Sequence, residues 1–187
     1  WLAGVAGLLV ARLAGPRAGT VERVARACFM LLVAYIALMT AGSWRARTLA
    51  AAWLDEHGVA WEQLVPNPVA ANSFAREVIV VRDDRYAFLR VGLLGGDVGV
   101  SAPEVARGDD ATRVIAAALA RQEHAGLRNW LRLPAYEVYR EAGGWRVVVR
   151  DMRYARLGRR APGEADIVVS DADVAAIGPG TADVPRP

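Results

Sequence analysis

The chain has 187 residues with 23 basic side chains, all arginine, against 20 acidic ones, for a net charge of +3. The lack of lysine excludes Schiff-base and lysine-nucleophile chemistry, and a single cysteine, Cys28, excludes an internal disulfide or a cysteine-based zinc site. Residues 1–61 hold six arginines against three acids and residues 62–187 hold 17 of each, so the excess charge lies in the apolar N-terminal part. A nucleic-acid binder concentrates basic charge on a folded face, and nucleic acid is set aside as a partner.

Trp1 opens an apolar run of 11 residues before Arg12, too short to span a bilayer alone. It lacks the charged start and small-residue cleavage site of a signal peptide. It reads as the tail of a spanning helix ended by Gly15-Pro16, and the chain as the C-terminal portion of a longer protein. Residues 27–44 follow, 18 positions without a charge, with Arg23 and Arg26 before them and Arg45 and Arg47 behind. As a helix this stretch rises about 27 Å, close to the hydrocarbon thickness of a bilayer, and the flanking arginines reach the headgroups. It is the predicted transmembrane helix. The linker before it carries Arg12, Arg17, Arg23 and Arg26, which places that loop in the cytoplasm and the C-terminal domain outside.

From Arg45 to His57 the pattern stays helical, with Leu49, Ala50, Trp53 and Leu54 on one face and Gly58 as a left-handed cap. Trp44, Trp53 and Trp61 gather here, which suits a helix lying at the membrane surface; packing against the chain's own domain suits the pattern equally. Pro66-Asn67-Pro68 reads as a loop. The periodicity then changes: 77–82 and 86–94 form a predicted hairpin about Asp83-Asp84-Arg85, closed by Gly95-Gly96. A polar loop leads to a helix capped by Asp109 or Asp110, with Val114, Ile115, Ala118 and Leu119 as its apolar stripe and Gly126 near its end. Residues 136–140 and 145–154 form a second hairpin around Ala142-Gly143-Gly144, 165–170 a fifth strand, and the end from Gly178 a frayed tail.

The expected architecture is a membrane α-helical segment plus a small α+β domain: one or two transmembrane helices, then antiparallel hairpins with one intervening helix. The expected divisions are 1–61 for the membrane and juxtamembrane helices, 62–170 for the α+β domain and 171–187 for a flexible tail.

No phosphate loop, GxGxxG, GxSxG or HExxH pattern occurs. The two histidines, His57 and His124, sit beside acids at helix ends without metal-ligand spacing, and the C-terminal helix dipole is their ordinary explanation. Asp83-Asp84 and Asp109-Asp110 read as turn-forming and capping pairs. No catalytic, cofactor-binding or metal-binding residue is assigned. Asp151-Met152-Arg153-Tyr154 stands out. Alternation along 145–153 turns Asp151 and Arg153 inward with Trp145, Val147 and Val149, and inward charges persist only when paired. Two readings follow, an ion pair pinning the strand to a loop and a site facing the membrane part; the first is adopted.

Three segments then line up in order: Glu56-His57-Gly58 leading to Pro66-Asn67-Pro68 with Phe74 beyond, Trp130-Leu131-Arg132-Leu133-Pro134, and Asp151-Met152-Arg153-Tyr154. This order resembles the C-terminal half of the YdjM-like family of bacterial inner-membrane-bound, metal-dependent hydrolases. Phe74 stands where that family carries Trp, and Leu133 where it carries Phe. The resemblance covers about residues 25–160 and marks Pro66, Pro68, Phe74, Trp130, Arg132, Pro134, Asp151, Arg153 and Tyr154 as motif residues with structural roles. It implies a multi-pass protein in the bacterial inner membrane. A divalent ion, zinc or another, would be held by helices before Trp1 and none by these residues. The partners implied are the lipid bilayer and those upstream helices. A reading from a different class is a non-enzymatic, membrane-anchored α+β module for interaction or structural support.

Overall fold

The computed structural model describes residues 18–70, 72–108, 112–154 and 164–177. The apolar run from Trp1, the capping pair Asp109-Asp110 and the stretch from Gly178 onward lie outside them. The chain is one long apolar N-terminal helix followed by an α+β arrangement of two antiparallel sheets with small helices. Its two compact units are Trp1–Arg45 and Ala46–Pro187.

Helix α1 (Ala18–Glu56) contains the charge-free stretch, and it is long and apolar enough to cross a membrane. Phe29, Leu31, Val33, Ile36 and Leu38 are each 44–71% exposed along it. In the second unit the same helix changes character. Ala46, Ala50 and Leu54 are buried in a cluster with Leu64, Val78, Val80, Leu89 and Val91, so the segment packs on its own domain. Small residues one turn apart let the sheet approach the helix backbone, and Leu54 adds about 2 kcal/mol of apolar burial. The helix stops at Gly58, whose φ of +65° is the expected left-handed cap.

The first sheet has the order β1-β2-β3-β4, with β1 Gln63–Val69, β2 Asn72–Val81, β3 Arg85–Gly92 and β4 Val98–Ala106. The β2–β3 hairpin matches the sequence expectation, but β1 and β4 correct it. Pro66-Asn67-Pro68 is strand, pairing Pro66 with Val78 and Pro68 with Arg76. Proline is tolerated there because β1 is an edge strand, whose outer side needs no N–H donor. The expected polar loop before the helix is β4, also an edge. Its register shifts between Tyr86 and Phe88, which face Val105 and Ala102, so Pro103 and Glu104 form a bulge. Strands β2 and β3 are buried on both faces. Val78, Val80, Leu89 and Val91 meet α1, while Ile79, Val81, Tyr86 and Phe88 pack against Leu133, Ala135 and Met152.

Helix α2 (Thr112–Ala120) buries the expected stripe of Val114, Ile115, Ala118 and Leu119, and Ala117 as well. The helical path then breaks into a 3-10 turn (Gln122–His124) and α3 (Ala125–Trp130), so two short helices occupy the place of the one expected. The second sheet has the order β5-β6-β7, with β5 Pro134–Glu141, β6 Gly144–Asp151 and β7 Ala165–Ser170. Its core joins Val147, Val149, Ile167 and Val169 to the α2 stripe. The supposed tail from 171 opens with α4 (Asp171–Ala176). Ser170 Oγ accepts from the Asp173 amide and Asp173 accepts from the Ser170 amide, a capping box. Asp171 pairs with Arg140 and accepts from Trp145 Nε1 at 3.1 Å, which ties the helix to the β5–β6 hairpin.

The sheets are joined where β4 ends. The Tyr136 amide donates to the Arg107 carbonyl at 2.8 Å and Tyr86 Oη donates to the Pro134 carbonyl at 2.8 Å. Gly108 follows with φ +77°, and a Cβ there would lie 1.9 Å from the Tyr136 carbonyl oxygen. Gly108→Ala therefore meets both a disfavoured backbone conformation and a clash at the sheet junction, and is expected to destabilise the fold by about 2–3 kcal/mol in denaturant titration. A midpoint equal to wild type would show that the junction yields freely.

Candidate functional site

The structure brings together three of the segments singled out in the sequence. Asp151 ends β6 with its side chain fully buried, while the Arg153 side chain is 24% exposed. The carboxylate is fully engaged. Oδ1 accepts from the Arg153 amide at 3.0 Å and from Arg153 Nε at 2.9 Å, and Oδ2 accepts from Arg153 Nη2 at 2.7 Å and from the Arg132 amide at 2.9 Å. Arg153 Nη2 also donates to the Trp130 carbonyl at 2.9 Å, so one ion pair fastens the end of β6 to the 130–134 segment. The Met152 amide donates to the Leu133 carbonyl at 2.8 Å and completes the attachment.

Strand β1 joins through Asn67, whose Nδ2 donates to the Arg153 carbonyl at 2.7 Å. Pro66 and Pro68 flank it and hold their φ angles in the strand. Trp130 and Tyr154 stack with centroids 5.1 Å apart and planes 18° apart, and the Arg153 guanidinium lies 5.3 and 5.0 Å from the two rings. Pro134 contributes its carbonyl to Tyr86. Phe74 does not join this set; it is 61% exposed on β2, with its carbonyl accepting from the Leu93 amide. A cavity of about 490 Å3 opens beside the junction.

Burial pushes the Asp151 carboxyl upward, but the Arg153 guanidinium, the Arg132 and Arg153 amides and the Arg153 charge outweigh it and hold it below its ordinary value. Hydrogen bonding to Asp151 raises Arg153 in turn. An ionised carboxylate with both oxygens occupied by four donors is a poor general base, and the arrangement suits fastening. The residues do not fit a metal either. Among the described residues no three His, Cys, Asp or Glu side chains converge, and the charge that a cation would supply to Asp151 already comes from Arg153.

The other sequence candidates fall in ordinary positions. His57 Nδ1 contacts the Trp53 carbonyl at 2.7 Å and its ring stacks on Trp53, at the end of α1. His124 lies 3.5 Å from Glu123 in the 3-10 turn. Asp84 pairs with Arg85 in the β2–β3 turn, where the hydrogen bond from Arg85 holds its carboxyl low. Sequence reasoning missed Asn67, Tyr86 and Arg107. Arg107 is buried, donating to the Arg82 and Asp83 carbonyls at 3.1 and 3.2 Å. Only the prolines around Asn67 hinted at its fixed position; Tyr86 and Arg107 act across sheet contacts that carry no local signature.

No protein-family model, curated protein or solved structure matches the chain.

Proposed function

We propose that this is a bilayer-anchored protein in which α1 crosses the membrane through residues 27–44 and the α+β domain is a non-enzymatic module for interaction or structural support. The observation that carries the reading is the exposure of Phe29, Leu31, Val33, Ile36 and Leu38 along a charge-free helical stretch. That much contiguous apolar surface requires a partner, and lipid is the one matched to its length. The Asp151–Arg153 junction supports the non-enzymatic part, because every carboxylate oxygen there is already committed to a donor. The arginines before the helix favour an extracytoplasmic domain.

A second reading follows from the YdjM-like resemblance: part of a bacterial inner-membrane, divalent-metal-dependent hydrolase whose metal is held by other membrane helices. Its support is the convergence of Asn67, Trp130, Arg132, Asp151 and Arg153, which makes one structural unit of motifs far apart in sequence. The chain expressed in bacteria is expected to remain in the membrane pellet after alkaline carbonate extraction, and after dialysis to hold no stoichiometric divalent ion by elemental analysis. Release into the supernatant would reject the anchor, and a retained ion would reject the placement of metal outside these residues.

A further inference from the structure

We propose that the cavity beside the Asp151–Arg153 junction binds an anionic amphiphile, a single apolar chain ending in a carboxylate or phosphate group. The cavity, of about 490 Å3, is lined by Leu119, Leu131 and Leu133 together with three arginines, Arg128, Arg132 and Arg153. Gln63, Val65, Pro134 and Tyr136 complete the lining, so no acidic side chain lines it among the described residues. The three cations differ in what they already hold. Arg153 is neutralised by Asp151 behind it. Arg128 donates to the Leu119 carbonyl, an acceptor without charge. Arg132 is exposed to solvent, its hydrogen bond to Asp151 runs through its backbone amide, and its guanidinium makes no ion pair among the described residues. Among the described residues neither Arg128 nor Arg132 is paired with a carboxylate, so two cationic residues line an apolar-walled space.

That combination selects for both ends of a ligand. A guanidinium offers paired donors that match a carboxylate or phosphate, and charge-assisted bonds of this kind are the strong ones. The leucine wall gains nothing from a bare inorganic anion and favours a hydrocarbon body. A neutral alcohol of the same length satisfies the wall and leaves the arginines unanswered. The volume lies within the about 300–1,000 Å3 of pockets that hold small organic ligands. A fatty acid and a lysophospholipid headgroup share this chemistry.

The test uses the full chain in phosphatidylcholine nanodiscs with two photoreactive probes, a diazirine-bearing decanoate and a diazirine-bearing decyl phosphate, and maps the labelled peptides by mass spectrometry. Labelling is expected in residues 119–136, competed by decanoate or decyl phosphate but not by decanol or inorganic phosphate. Arg132→Gln is expected to lower that labelling about tenfold, as for loss of one charged hydrogen bond, and Arg128→Gln combined with it to lower it further. Because the Arg132 side chain is exposed, Arg132→Gln keeps the wild-type melting curve. Preference for decanoate would assign the site to free fatty acids, and preference for decyl phosphate to phosphate headgroups. Labelling confined to residues 27–44, equal competition by decanol, or unchanged labelling in the folded double variant would overturn the proposal. Because the label is read at 119–136, the result is separable from whether α1 spans the bilayer.

Discussion

Arg153→Ala is expected to lower the stability of the α+β domain by about 3–5 kcal/mol at neutral pH, the usual cost of stripping one partner from a buried ion pair. The substitution leaves the fully buried Asp151 carboxylate with the Arg132 and Arg153 amides as donors and no counter-charge. It also frees the Trp130 carbonyl and removes the cation beside the Trp130–Tyr154 stack. Asp151→Ala is expected to cost less, about 2–3 kcal/mol, because the partly exposed Arg153 can turn to water while two backbone amides lose their acceptor. Denaturant unfolding of the full chain in detergent micelles, followed by tryptophan fluorescence, measures both. Wild-type midpoints in the two variants would reject the pair as a fastening.

The pH dependence gives a second readout with a definite sign. In the wild type the folded-state carboxyl of Asp151 lies below its ordinary value, so the folded chain gains stability that is present above about pH 4 and lost as pH falls through the lowered value. In Arg153→Ala, burial acts with less opposition and raises that carboxyl, so protonation relieves the variant as pH falls. The stability difference between the two chains should therefore narrow on acidification from pH 7 to below 4. A difference independent of pH would mean that Arg153 contributes through packing on the two rings and not through charge.

Ile36→Arg is expected to have the other large effect. Ile36 lies at the middle of the charge-free stretch, and an arginine at the centre of a spanning helix costs about 2.5–3.5 kcal/mol on insertion. At that depth the side chain is farthest from either headgroup layer, where snorkelling recovers least. The carbonate-resistant fraction should fall sharply, whereas Leu94→Arg, at a position 78% exposed in the α+β unit, should leave it unchanged. Equal extraction of both variants and the wild type would show that α1 is held by something other than the bilayer core.

Where local chemistry decides conformation, sequence reasoning reached the structure. The charge-free run 27–44 lies within α1, the stripe Val114, Ile115, Ala118 and Leu119 is the buried face of α2, and residues 165–170 form β7. Alternation along 145–151 turned Asp151 inward and the residue is buried, although Val148 on the opposite face of the strand is buried as well. The Ser170-to-Asp173 capping box was also legible, yet the Gly/Pro-rich end that follows drew the expectation toward a tail.

By itself, then, the sequence determined the apolar helix, the period of the inner strands and the need for Asp151 to find a partner, because side-chain hydropathy and backbone preference act within a few residues. Only the tertiary structure decided that Pro66 and Pro68 belong to an edge strand, since a proline is compatible with a sheet only when its missing N–H faces away from the neighbouring strand. It also decided that β2 and β3 are covered on both faces, by α1 on one side and by Leu133, Ala135 and Met152 on the other. The same holds for the junction of Asn67, Arg132 and Asp151 and for the cavity beside it. Their contacts join residues between 19 and 86 positions apart, and such pairings exist only once both sheets have formed.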